Sequence, residues 1–148
     1  MKKIALAFLI MTSSVAVHAQ TAAGVKAPKN AIESVKSKYP SSQGTTWVKT
    51  DETYIASVKQ GTNKIDLYYD TNGNFLESQK DIALLDIPQP ARTTFGDEFK
   101  GFAVDEHKVV ESATNDVLYK VVLEKGNQIV ELRLNDIGKI MKVERRSK

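Results

Sequence analysis

The feature that most restricts the fold of this chain is a pattern that occurs twice. Pro28, Ala31, Val35 and Tyr39 are matched sixty residues later by Pro88, Ala91, Phe95 and Phe99. Tyr54, Ala56 and Val58 are matched sixty-five residues later by Tyr119, Val121 and Leu123. Gly61, Ile65, Leu67, Tyr69 and Gly73 are matched at the same interval by Gly126, Val130, Leu132, Leu134 and Gly138. Matching residue types in matching order indicate an internal duplication. The interval grows by five between the two sets, so the second copy carries a longer loop, expected around Glu111 to Asp116.

Within each copy the apolar period changes once. Pro28 opens a helical stretch, where its missing N–H costs nothing. Ile32, Val35 and Tyr39 then recur at helical spacing until Tyr39-Pro40, where the residue before proline leaves the helical region. Strand signals follow. Thr45 to Thr50 holds Trp47 and Val48, and Tyr54, Ala56 and Val58 alternate with Ile55, Ser57 and Lys59. After a turn at Gly61, Ile65, Leu67 and Tyr69 alternate with Lys64, Asp66 and Tyr68. Asn72-Gly73 makes a further hairpin turn before Phe75 and Leu76. A period of two with one apolar face predicts an antiparallel sheet covered on one side. The expected fold is α+β: a tandem repeat of one helix on an antiparallel sheet of about four strands, joined into one curved, open-faced sheet. The repeats are placed at 28–80 and 81–146 of a single domain, 28–148. Ile82, Leu84, Leu85 and Ile87 at the junction are expected to pack against the sheets.

The first residues read as an address rather than as structure. Lys2 and Lys3 precede the apolar run Ile4 to Met11, and Val17-His18-Ala19 supplies the residues a signal peptidase reads. The run is about half the ~20 apolar residues that a membrane-spanning helix needs. A signal peptide at 1–19, cleaved after Ala19, is expected, then a flexible leader at 20–27. That implies a bacterial periplasmic or secreted protein with no membrane span after cleavage. Cleavage removes two lysines and no acids, leaving nineteen basic against eighteen acidic side chains, a net of +1. Such a balance lacks the basic footprint of a nucleic-acid binder. The Lys142, Arg145, Arg146 and Lys148 cluster reads as a solvated tail. There is no cysteine, so packing alone must hold the domain.

The ordered set of features resembles a known family. A helix ends in Lys38-Tyr39-Pro40. A Trp-bearing strand follows, then Tyr54-x-Ala56-x-Val58, a glycine turn, the alternating run Ile65 to Tyr69, and Asp70-x-Asn72-Gly73-Asn74-Phe75-Leu76, with a looser second copy. This looks like the PepSY-like exported bacterial proteins related to the β-lactamase-inhibitor protein fold, over residues 25 to 145. The resemblance implies one helix laid across an antiparallel sheet in each repeat, and the binding or inhibition of other proteins. The second copy departs from the first at Lys100, in place of Pro40, and at His107, in place of Trp47.

No catalytic constellation is apparent. After cleavage one histidine remains, His107, and without cysteine the usual nucleophile, acid–base and transition-metal sets are missing. No enzyme, metal or cofactor is expected. Asp70, Asn72 and Asn74 alternate like calcium ligands, but glycine and the twelfth-position acid are misplaced for an EF-hand, and a hairpin turn explains them. The informative residues have the parity opposite to the core. If Ile65, Leu67, Tyr69, Val130, Leu132 and Leu134 face the helices, then Ile55, Ser57, Asp66, Tyr68, Leu118, Lys120, Val122, Glu131 and Arg133 share the open face. Trp47 is a further candidate that parity leaves open, because Val48 competes with it for the core. Mixed aromatic, aliphatic and charged groups suit a protein-binding patch. The expected function is an exported, non-catalytic binding module engaging a protein or peptide through this face. A small ligand or an envelope polymer held in the same concavity is the alternative.

Overall fold

The computed structural model describes residues 25–42 and 44–148, so the expected signal peptide and most of the expected leader lie outside the described residues. Helix α1 (Lys29–Lys38) is followed by β1 (Thr46–Lys49), β2 (Thr53–Gln60), β3 (Asn63–Asp70) and β4 (Phe75–Asp81). A three-residue 3₁₀ turn, Leu84–Asp86, leads to α2 (Gln89–Glu98), β5 (Ala103–Ser112), β6 (Val117–Lys125), β7 (Gln128–Leu134) and β8 (Ile140–Ser147). All eight strands form one antiparallel sheet in the order of the chain, β1 to β8. The chain is thus α+β, with both helices packed on the same side of the sheet.

Local chemistry sets the helix limits. Pro28 and Pro88 stand immediately before the two helices, and their carbonyls accept the first helical bonds, from Ile32 N–H and Arg92 N–H at 3.1 Å each. Each helix ends on an aromatic residue, Tyr39 or Phe99, whose N–H closes the last turn on Val35 or Phe95. Lys36 and Lys38 lie in the last turn of α1, where positive charge suits the helix dipole.

The helices bury two clusters. Ala31 and Val35 of α1 meet Ala56, Val58, Ile65, Leu67 and Tyr69. Ile87, Ala91, Phe95 and Phe99 meet Val121, Leu123, Val130, Leu132 and Leu134. Each large apolar side chain removed from water contributes roughly 1.5–3 kcal/mol, which commits this parity of the strands to the helix side. The junction follows the expectation only in part. Ile87 is buried and Ile82 packs partly against the second cluster, whereas Leu85 is 76% exposed and Leu84 is also on the surface. The 3₁₀ turn fans successive side chains about a third of a turn apart, so the residues bracketing it reach the core while the leucines within it point away.

Three register shifts bend the sheet: beside Tyr68 and Tyr69, where β4 carries the extra residue, between Val104 and Glu106 on β5, and beside Arg133 and Leu134, where β8 carries it. A side-chain contact reports the resulting curvature. Arg133 on β7 grips Glu77 on β4 with two hydrogen bonds, Nη1 to Oε2 at 2.6 Å and Nη2 to Oε1 at 3.1 Å. Three strand spacings alone amount to about 14 Å in a flat sheet. The pair can close over β5 and β6 only because the sheet is concave on this side.

Candidate functional site

The concave side is the face that parity assigns opposite the helices, and no helix of the described residues lies over it. Pairing register sets its rows. Ile55 lies beside Tyr68 and Tyr68 beside Glu77; Ser57 lies beside Asp66 and Asp66 beside Gln79. Across β5 to β7, Val110 lies beside Leu118, Lys108 beside Lys120, and Lys120 beside Arg133; Glu106, Val122 and Glu131 form the next row. Register therefore puts Ile55, Ser57, Asp66 and Tyr68 in one half of the face and Leu118, Lys120, Val122, Glu131 and Arg133 in the other.

Four residues that parity arguments left out join these halves: Glu77 and Gln79 on β4, and Glu106 and Lys108 on β5. The readable part of β4 stopped at Leu76, and β5 begins with a bulge that breaks its alternation. Carrying the period of two from Glu77 to Asp81 would have exposed the first pair.

The charges interlock. Ser57 Oγ donates to Asp66 Oδ1, and Lys64 donates to Asp66 Oδ2 at 3.2 Å. Lys108 Nζ lies 2.8 Å from Glu106 and 3.6 Å from Asp81. Lys120 Nζ reaches Glu106 at 3.7 Å and Glu131 at 3.3 Å. Gln79 Nε2 donates to the Glu77 carboxylate at 2.7 Å, so Glu77 is held by both Gln79 and Arg133. Burial opposes ionisation of Glu77, but hydrogen bonds from Arg133 and Gln79 outweigh it and hold its pKa below the usual 4.5. Glu106 is likewise lowered, burial being outweighed by its bond with Lys108. Burial also opposes the charge on Lys108, yet Glu106 raises its pKa. Burial first, and then the charge of Asp66, pushes the Tyr68 hydroxyl upward, so it stays a neutral donor at physiological pH. Among the described residues, two buried side-chain atoms have no hydrogen-bond partner: Gln79 Oε1 and Arg133 Nε.

One sequence expectation needs correction, and the candidate that parity left open falls outside this face. Val122 has the parity of the open face but is only 5% exposed. Glu106 and Glu131 flank it in its own row, and the Lys120 ammonium bridges the two carboxylates. That bridge closes over the valine. Trp47 lies on the other side of the sheet. It packs against the first cluster, its ring 5.9 Å from that of Tyr69, because its partner Ala56 is small enough to leave it room there.

The alternating Asp70, Asn72 and Asn74 build a turn. Asp70 Oδ1 accepts from the backbone N–H of Asn72 and Asn74 at 2.9 and 2.8 Å, and Oδ2 accepts from Asn74 Nδ2 at 2.8 Å. These bonds, led by that from the Asn74 side chain, lower the Asp70 pKa.

No family model matches this chain, and no curated protein matches it in sequence. Solved structures match it in fold. A DUF2874 family protein from Bacteroides uniformis superposes with a TM-score of 0.72 at 17% identity, over 81% of this chain and 90% of that one. A BLIP-like protein from Bacteroides fragilis gives 0.69 at 17% identity, over 85% and 91%. A protein from Bacteroides eggerthii, provisionally named periplasmic, gives 0.71 at 16% identity, over 81% and 89%. At these identities what is shared is the architecture: two helices on one side of a curved antiparallel sheet, the BLIP-like fold.

Proposed function

We propose that this chain is an exported, non-catalytic binding module that takes a protein or peptide on the concave face of its sheet. The observation that carries this reading is the pre-set charge network on a face that no helix of the described residues covers. The side chains are already held by one another, so a partner has little rotamer freedom left to freeze, which lowers the cost of association. Tyr68 and Arg133 are residue types that anchor interfaces. Lys120 and Glu131 offer both signs of charge within one patch, which favours selection by charge complementarity.

Export is supported by the anatomy of residues 1–19 and fits the provisional periplasmic name of one structural neighbour. Descent from a duplicated PepSY-like unit belongs to the same proposal and draws on several correspondences. Trp47 faces Ala56, and His107, sixty residues on, faces Val121. The turns at Asp70 and Asn135 use the same backbone bonds, Asp70 N–H to Asn74 O and Gly73 N–H to Asp70 O, then Asn135 N–H to Lys139 O and Gly138 N–H to Asn135 O.

The test is a photo-crosslinking comparison in the native host. A crosslinker on Ser57 should trap one partner, and Tyr68→Ala with Arg133→Gln should abolish that adduct while leaving the circular dichroism unchanged. Undiminished trapping by the folded double variant would refute the reading. A small polar ligand in the same hollow is a second reading, favoured by the unpartnered Gln79 Oε1 and Arg133 Nε, an acceptor and a donor that both flank Glu77. It predicts a rise in melting temperature with a polyol or amide ligand, and the rise should vanish in Gln79→Leu.

A further inference from the structure

The two ends of the sheet differ. β1 contributes four residues, whereas β8 runs for eight, all but Ile140 exposed. Among the described residues no strand pairs with the outer side of β8. Its outward N–H and C=O groups face water and can template another strand. Register puts Lys142, Glu144 and Arg146 on the concave face, and Val143 and Arg145 on the helix face.

Two hollows lie against this edge. One, of about 410 Å³, is lined by Glu131, Glu144, Arg145 and Arg146; the other, of about 260 Å³, is lined by Gln128, Ile129, Val130, Arg145, Arg146 and Ser147. Ile129, Glu131, Glu144 and Arg146 share the concave face, and Gln128, Val130, Arg145 and Ser147 share the helix face, so each hollow takes in residues of both faces along the edge. A strand laid along β8 would send alternate side chains to the two faces of the sheet, past Arg146 on one and Arg145 on the other. Strand addition works in this way, with main-chain bonds giving affinity and pockets for alternate side chains giving specificity.

Charge selects the occupant. From Lys139 to Lys148 there are five basic side chains against one acid, and that acid, Glu144, is already engaged by Lys142. Arg145 stacks over Phe99 at 5.5 Å. Arg146 makes no ion pair among the described residues. A second copy pairing through β8 would set two basic strands side by side, which like charges oppose. An acidic strand meets the opposite condition.

We propose that the outer edge of β8 binds an extended, acidic peptide segment by strand addition, with Arg145 and Arg146 receiving successive acidic side chains on opposite faces of the sheet. This surface is separate from the centre of the concave face and goes beyond the reading given above.

The probe is a fluorescein-labelled octapeptide of alternating glutamate and valine, added to the full chain and followed by anisotropy and by backbone amide shifts. Binding should shift the amides of Ile140–Ser147 and weaken with added salt. It should fall at least about ten-fold in Arg145→Glu/Arg146→Glu, which removes charge-assisted contacts. A peptide with alternate backbone nitrogens methylated keeps every side chain but loses ladder donors, and should also bind at least about ten-fold more weakly. The lysine-for-glutamate peptide should not bind. Three results would overturn the proposal: no binding of the acidic peptide, equal binding of the methylated peptide, or shifts centred on Tyr68 and Lys120. The last would leave the concave-face reading standing alone.

Discussion

Glu77 and Arg133 are each about one-fifth exposed, and among the described residues no other ion pair spans so many strands. Removing one partner leaves a half-buried charge without its counter-ion, whereas removing both does not. Glu77→Gln and Arg133→Met singly should each cost more than half of what the double variant costs, with a coupling of about 1–2 kcal/mol in a denaturant-melt cycle. The same carboxylates set the acid limit. Because Glu77 and Glu106 are held below the usual 4.5 in the folded state, the stability they add is fully present above that value. It is lost as pH falls through their depressed values. Urea melts should therefore show stability declining as pH drops from 5 to 3, and Glu77→Gln should flatten that decline. Glycine is needed at two equivalent turns. Gly73 has φ +83°, and a Cβ there would lie 2.7 Å from the Pro28 side chain; Gly138 has φ +83°, and a Cβ there would lie 2.6 Å from the Pro90 carbonyl. Gly61 also has positive φ but opens onto free space. Alanine at 73 or 138 should cost about 1–3 kcal/mol, and clearly more than alanine at 61.

At the scale of elements, much was legible in the sequence. Pro28 and Tyr39-Pro40 bracket α1, and the alternating runs at 54–59 and 64–69 fall inside β2 and β3. Propensity and period acted in the same direction there, so local and global preferences agreed. What stayed hidden has a physical cause in each case. β4 continues to Asp81 through Glu77, Ser78, Gln79 and Lys80, a polar run with no apolar alternation to betray a strand. The bulge at Val104/Glu106 shifts parity midway, so β5 reads as irregular. Parity found the membership of the open face but not its burial, because ion pairs between strands depend on curvature, which no single strand encodes. Val122 has the parity of the open face and is nevertheless covered for that reason. Trp47 was undecidable from parity because Val48 is equally apolar. For the helices, the cores make a quantitative demand. Phe95 is the large side chain by which α2 enters the second cluster, and Phe95→Ala should cost about 3–5 kcal/mol in thermal or urea unfolding.

For the whole molecule, the question is whether two cores make one folding unit. Five registered pairs join β4 to β5 across the middle of the sheet. The Arg133–Glu77 bonds and the Lys108–Asp81 pair tie the same seam. Trp47 sits beside the first cluster only and is the one tryptophan in the chain, so its fluorescence is a private reporter of that half. Leu132→Ala, in the second cluster, should nevertheless lower the Trp47 fluorescence midpoint and the circular dichroism midpoint by the same amount, as a single cooperative transition requires. Two separated midpoints would show that the seam fails to couple the halves.

The sheet runs β1 to β8 with each strand beside its predecessor in the chain. A chain delivered N-terminus first, as through a translocation channel, lets every arriving strand dock on one already laid down. None has to hold a place open for a distant segment. Growth of this kind keeps loop closures short and the search local, which favours rapid folding, and at each stage the growing margin is the one long edge for a chaperone to guard, beside the short outer edge of β1.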